Sequence, residues 1–146
     1  MSQFDECIFV LWGSGFDEAI ATIFITELRR AGLPVKLVGL TQRRSNGAYG
    51  LALVPDLTLE ETLPLADRTV CMIVPYTSTG NKRLRNDPRL SEFFERAHAN
   101  QAQFVIGPLD QADLAMFPPD IDKVIIEPGS EALIKAAREL ARSLGK

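Results

Sequence analysis

Cysteine and histidine are scarce in this chain: it holds two Cys, Cys7 and Cys71, and one His, His98. Two thiols far apart in sequence make neither a disulfide framework nor a zinc-ligand spacing, and they suit a reducing compartment. Each sits inside an apolar run, where a thiol serves as a small core hydrophobe. A single imidazole excludes a multi-histidine metal site within one chain. Long hydrophobic runs are missing too. The longest span about six residues, against the roughly 18 that a bilayer-crossing helix needs. The first residues, Met1-Ser2-Gln3-Phe4-Asp5-Glu6, are acidic and carry no basic leader region. We therefore expect a cytoplasmic protein with no membrane partner. Positive charge is not in excess: 16 Lys and Arg against 19 Asp and Glu leave a net charge of −3. Such a balance gives no global attraction to nucleic acid. The basic clusters Arg29-Arg30, Arg43-Arg44 and Arg83-Leu84-Arg85 lack the interleaved aromatics that stack RNA bases, so they read as solvated faces.

What is present is ordinary globular composition, 46% apolar and 24% charged, which argues against disorder and fibrous repeats. At about 100–200 residues per domain, residues 1–146 make one domain. The pattern alternates strand and helix. Cys7 to Trp12 is continuously apolar, as in a strand buried on both faces. Gly13-Ser14-Gly15 turns the chain, and from Phe16 to Ala31 the period becomes helical, with Ile20, Ile23, Phe24, Leu28 and Ala31 on one face. Asp17 and Glu18 fall in its first turn, where acids complement the helix dipole. Gly32 and Pro34 end it, and Val35 to Leu40 is the second strand.

Thr41 to Gly50 is rich in turn residues. Ala48 to Val54 reads as a short strand or hairpin arm, and Leu57 to Leu63 as one helical turn. Thr69 to Val74 is a buried strand. Asp87-Pro88 supplies an N-cap and a first-turn proline for a helix whose apolar face is Leu90, Phe93, Phe94 and Ala97. Gln103 to Ile106 and Val124 to Ile126 are further strands, with a short helix near Asp110 to Met116 between them. Ser130 caps a last helix with Leu133, Ala137, Leu140, Ala141 and Leu144 inward. About five main strands alternating with helices predict an α/β fold, a three-layer flavodoxin-like sandwich with a mostly parallel sheet. Ligands in such sheets sit beyond the carboxyl ends of the strands. That points to the loops at Gly13–Phe16, Thr41–Gly50, Pro75–Asn86 and Gly107–Asp110.

Three stretches together resemble the ThiJ/PfpI family, a branch of the class I glutamine amidotransferase-like fold. They are Val10-Leu11-Trp12-Gly13-Ser14-Gly15-Phe16-Asp17-Glu18, then Glu27 to Leu40 with its Arg-Ala-Gly-x-x-Val element, then Val54-Pro55-Asp56-Leu57-Thr58-Leu59-Glu60-Glu61. The resemblance covers residues 7–75 well and the remainder thinly. It implies a site in which a Cys on a strand-to-helix elbow is hydrogen-bonded by a Glu, with Gly-Gly amides forming an oxyanion hole and often a His nearby. Glu18 matches the Glu. The elbow falls near Phe104-Val105-Ile106-Gly107-Pro108, so the Cys position reads Val105. The glycine pair reads Tyr76-Thr77 after Pro75, and the His-bearing segment has no counterpart. The resemblance thus implies a catalytically degenerate relative with a vestigial pocket at Glu18, Val105 and Gly107, no catalytic residue, no cofactor and no metal. It implies a homodimer pairing through the Asp17–Ala31 helix and the Ala48–Val54 stretch. A β-branched Val cannot hold a strained elbow. Val105 is therefore expected to continue the strand and to set an apolar side chain against Glu18, making Glu18→Gln nearly neutral.

Other readings stay open beside this one. Glu18 is a dipole-complementing acid, a ligand contact or a catalytic remnant. A cryptic hydrolase would use Ser14 or Ser78 with His98, though no acid partner for His98 is visible. Tyr76-Thr77-Ser78-Thr79-Gly80-Asn81 resembles a flavodoxin phosphate loop but follows a later strand than in flavodoxins, and no Walker spacing is present. It reads first as a polar, basic surface loop. Lys82, Arg83 and Arg85 beside it leave room for a small anionic ligand. The ligand-binding candidates are Gly15, Glu18, Tyr76, Thr77, Ser78 and Gly80.

Overall fold

A strand that is apolar at every position has no face to give to water, and the chain places that strand at the centre. The computed structural model describes residues 6–41, 44–76, 87–127, 129 and 131–145. Strand β1 (Cys7–Trp12) lies between β2 (Val35–Gly39) and β6 (Thr69–Val74). The six-stranded sheet runs β5-β2-β1-β6-β7-β8, with β5 at Leu57–Thr58, β7 at Gln103–Ile106 and β8 at Asp122–Ile125. Every neighbouring pair in it is parallel. Strands β3 (Ser45–Asn46) and β4 (Ala52–Leu53) form a separate antiparallel ribbon.

Helices cover both faces of the sheet. Helix α1 (Glu18–Arg30) packs against α5 (Leu133–Leu144), and Arg138 Nε on α5 donates to Glu27 on α1 at 3.0 Å. The other face carries α3 (Pro88–Ala99) and a 3-10 helix (Leu63–Arg68), which pack on one another. Its core is aromatic. Phe9 of β1 meets Phe93 of α3 edge-on at 5.7 Å, and Phe94 stacks on Phe117 at 4.5 Å with Phe104 edge-on to both. Each fully buried side chain of this kind contributes about 1.5–3 kcal/mol. Two short helices, α2 (Leu59–Thr62) and α4 (Gln111–Leu114), complete the elements.

Several boundaries differ from the sequence expectation, each for a local reason. Helix α1 begins at Glu18, not Phe16, because the Phe16 N–H closes a turn onto Gly13 O at 3.1 Å. Asp17 becomes its N-cap, accepting from Ile20 N at 2.9 Å. The expected arm over Ala48–Val54 is the second half of a hairpin whose first strand is Ser45–Asn46, and Ala48 and Tyr49 lie in the turn. The stretch from Leu57 to Leu63 splits into an edge strand, one turn of α-helix with a Thr58–Glu61 capping box, and the start of the 3-10 helix. That edge strand makes the sheet six-stranded rather than five-stranded. The expected cap Ser130 lies outside the described residues, and α5 starts after Ala132 without a side-chain cap.

The strand order sets where a ligand site belongs. From β1 the chain moves outward to β2 and β5, then returns to β6 on the other side of β1. The switch point of the sheet is therefore the carboxyl end of β1 and β6.

Candidate functional site at the switch point

Gly13-Ser14-Gly15-Phe16-Asp17 carries the chain from β1 to α1 across this point. Gly15 takes φ +81°, a conformation that favours glycine. Asp17 N donates to Pro75 O at 2.7 Å, tying the start of α1 to the end of β6. The Phe16 ring lies 5.5 Å from Tyr76 and 6.2 Å from Trp12. These contacts fix Glu18 in the first turn of α1, over the sheet's carboxyl edge.

The ribbon then folds down onto Glu18. Trp12 Nε1 donates to Ser45 O at 3.0 Å, Gly15 N to Asn46 O at 3.0 Å, and Ala48 N to Phe16 O at 2.8 Å. Between the ribbon strands, Gly50 at φ +92° allows a tight turn closed by Gly50 N donating to Gly47 O. The turn aims two amides at the carboxylate: Tyr49 N and Leu51 N donate to Glu18 Oε2 at 2.8 and 3.0 Å. Gly47 makes this approach possible, because a Cβ there would stand 2.4 Å from Glu18 Cδ. Glu18 is left 7% exposed. Its second oxygen, Oε1, is buried with no hydrogen-bond partner among the described residues.

Burial pushes the Glu18 carboxyl up, but the amides of Leu51, Glu18 itself, Tyr49 and Ala48 together outweigh it and hold the group below its ordinary value. Glu18 is an anion clamped by backbone dipoles. None of the three sequence readings of Glu18 contains this latch. The signal was available in Asn46-Gly47-Ala48-Tyr49-Gly50, a hairpin-turn composition, but nothing local says which side chain the turn will meet.

Val105 stands inside β7, paired with Ile73 of β6 and Val124 of β8. Val105 lines a cavity of about 210 Å³ with Phe24, Leu140 and Val124. Phe24 lies six residues beyond Glu18, about 9 Å further along the helix axis. Two backbone amides hold one oxygen of the carboxylate, so Glu18→Gln is expected to cost stability rather than to be neutral. Gly107 is buried directly after β7. The Gly15 amide is taken by Asn46 O. Tyr76 is 2% exposed, part of the core beneath the site. Thr77, Ser78 and Gly80, with Lys82, Arg83 and Arg85, lie outside the described residues.

The thiols and the imidazole are elsewhere. Cys7 opens β1, paired with Thr69, and Cys71 lies mid-strand in β6, paired with Ile8, roughly 10–16 Å short of the carboxyl ends of their strands at about 3.3 Å per residue. Burial, assisted by the negative charge of Asp122, pushes the Cys71 thiol up to about 12, so it is inert at neutral pH. His98 lies near the end of α3, which runs back from the carboxyl edge to the amino edge. Asn100, two residues on, donates to Thr69 O at 2.7 Å. Ser14, exposed at the carboxyl edge, is thus separated from His98 by the height of the sheet, and these two do not form a catalytic pair. A cavity of about 430 Å³ lies beside α4, lined by Phe117, Pro118, Pro119 and Ile121 among others. Among the described residues no cluster of three or more His, Cys, Asp or Glu could hold a metal ion, and no helix is long and apolar enough to cross a membrane.

No protein-family model and no curated protein matches the chain. Solved structures do match. The chain is similar to DJ-1beta of Drosophila melanogaster, with TM-score 0.77 and 16% identity over 97% of this chain and 91% of that one. It is similar to a DJ-1 superfamily protein of Salmonella typhimurium, with TM-score 0.72 and 19% identity over 97% and 91%. A ThiJ/PfpI domain protein of Brachyspira murdochii matches with TM-score 0.71 and 14% identity over 97% and 96%. Likeness at these identities speaks for the fold: the chain has the α/β, flavodoxin-like architecture of the DJ-1/ThiJ/PfpI superfamily structures.

Proposed function

We propose that this chain is a catalytically degenerate protein of the DJ-1/ThiJ/PfpI type with a non-enzymatic role, binding a small molecule or acting as a regulator. One observation carries the reading: the Glu18 carboxylate, which the resemblance would pair with a nucleophilic thiol, is latched by the Tyr49 and Leu51 amides, while Cys7 opens β1 and Cys71 lies buried mid-strand in β6, neither of them at the carboxyl edge. Thiolate chemistry needs the sulfur at the site, and no described side chain beside Glu18 supplies a replacement nucleophile. A small anion met by Lys82, Arg83 and Arg85 is the ligand class for which the sequence leaves room. The protein works in the cytoplasm, with a homodimer as its basic unit. Support for the dimer comes from the ribbon, where Tyr49 is 89% and Val54 73% exposed, an apolar surface suited to a second copy.

The test is turnover of esters, 2-oxoaldehydes and glycated amines by the purified protein. The expected rate is that of buffer, unchanged by thiol reagents. A second reading, a hydrolase or glyoxalase/deglycase with an unrecognised catalytic group, rests on the buried and unpartnered Glu18 Oε1. Turnover that Glu18→Ala abolishes would establish it and end the degenerate reading. For the dimer, light scattering of Tyr49→Asp should report half the mass of the parent. A monomeric parent would refute the ribbon interface.

A further inference from the structure

The two lateral edges of the sheet are built differently. At one edge β5 is two residues long and closely follows Pro55, a blunted end. At the other, β8 runs over Asp122–Ile125 with all four residues exposed. Val124 is 40% and Ile125 54% exposed. Among the described residues no strand pairs with its outer side. Ile126 prolongs the inner ladder, its N–H donating to Ile106 O at 2.9 Å. Backbone groups of successive strand residues point to alternate sides. With Ile126 facing β7, the N–H and C=O of Lys123 and Ile125 face outward, unclaimed by the sheet.

The residues along this edge are self-complementary. A twofold axis that joins two sheets edge to edge stands perpendicular to them, so directly opposed residues share a face. The register must then be centred on a residue. Centring on Asp122 or Lys123 sets like charges against each other. Centring on Val124 sets Lys123 against the apolar Ile125. Centring on Ile125 sets Ile125 against itself as a hydrogen-bonded pair, Val124 against Ile126, and Lys123 against Glu127 twice over. That last register matches charge to charge and apolar to apolar.

We propose that β8 is a self-association edge: it pairs antiparallel with β8 of a second copy of this chain, centred on Ile125, and joins two six-stranded sheets into one. The surface is distinct from the ribbon, so the two contacts are separable. Together they assemble dimers of dimers or longer arrays, according to whether the two axes close.

The experiment uses the full chain carrying Tyr49→Asp, which removes the ribbon contact, and reads mass by sedimentation with circular dichroism as a fold control. A dimer is expected. Adding Lys123→Glu opposes Glu to Glu at two places and should weaken that dimer roughly tenfold or more. Adding Glu127→Lys to it should restore the dimer. Ile125→Cys with Cys7→Ser should oxidise to a covalent dimer, since paired strand residues lie about 5.5 Å apart between Cα atoms, within disulfide reach. A folded Tyr49→Asp chain that is monomeric at micromolar concentrations overturns the proposal. So does a dimer indifferent to Lys123→Glu. A parent whose mass Tyr49→Asp leaves unchanged but Lys123→Glu lowers would sink the ribbon interface and leave this one standing.

Discussion

Glu18 and Cys71 are both buried ionisable groups, and their surroundings treat them in opposite ways. Cys71 lies mid-strand in β6, where backbone donors are spent on the sheet ladder, and burial pushes its thiol up to about 12. Glu18 lies at a helix start beneath a turn, where ladder bonding has ended and amides are free to aim at it. Its carboxyl is held below its ordinary value despite burial. Burial alone therefore does not decide whether a group is charged; the supply of uncommitted backbone donors does. Within a sheet that supply is exhausted, and it returns at the carboxyl ends of the strands. A flavodoxin-like fold accordingly concentrates its charge-bearing chemistry there.

The hardest test of this contrast is to remove the carboxylate. Glu18→Ala strands the Tyr49 and Leu51 amides and should cost about 3–6 kcal/mol, at about 1.5–3 kcal/mol for each hydrogen bond to a charged group. Gly47→Ala should cost about 1–3 kcal/mol by overpacking. A side-chain tip can usually step aside, but here moving Glu18 breaks both amide bonds. The two changes are then coupled: in urea unfolding the double variant should be no less stable than Glu18→Ala alone. Simple additivity would show that the latch is not the source of either cost.

A gentler change keeps the shape and removes the charge. Glu18→Gln retains an acceptor for the two amides but buries an NH2 where Oε1 has no partner, so a loss of about 1–2 kcal/mol is expected near neutral pH. A neutral or stabilising effect would return Glu18 to the apolar setting that the sequence alone suggested.

Acid should erase that difference. Because the folded carboxyl titrates below the unfolded one, its stabilisation is complete above the ordinary glutamate range and is lost as pH falls through the lowered folded value. Unfolding curves of the parent and Glu18→Gln should lie apart at about pH 7 and converge as pH falls through the lowered folded value. A gap that persists or widens in acid would show that charge is not what the amides hold.

The smallest effect concerns a new thiol. Val105→Cys creates one in a strand interior where the parent residue is 2% exposed, so it should behave like Cys71 and alkylate at neutral pH no faster than the protein opens. Rapid labelling of folded Val105→Cys would mean that β7 offers a thiolate the kind of donors that Glu18 enjoys.

Much of the frame was legible in the sequence for definite reasons. The run Cys7 to Trp12 had to be a central strand because no position in it tolerates water. Leu90, Phe93, Phe94 and Ala97 are spaced for one helix face, and all four are buried. Asp87-Pro88 announced the start of α3 through a local hydrogen bond, Arg89 N donating to Asp87 Oδ1. Where reading failed, the deciding contact was distant. The ribbon strands are two residues long, with one exposed and one partly buried residue in each, too short to show a period. Their place depends on Trp12 Nε1 reaching Ser45 O, 33 positions away.

What the sequence by itself determined about this protein is the set of elements and their buried faces, because hydrophobic period, caps and turn residues act within a few positions of one another. It also determined that only two thiols and one imidazole exist to do chemistry. Tertiary structure alone decided that Glu18 meets the amides of Tyr49 and Leu51, that His98 and Ser14 stand at opposite ends of the sheet, and that no described strand covers the outer side of β8. Those outcomes depend on which segments the sheet order brings together across 30 positions or more, and no periodicity along the chain encodes a distance through space.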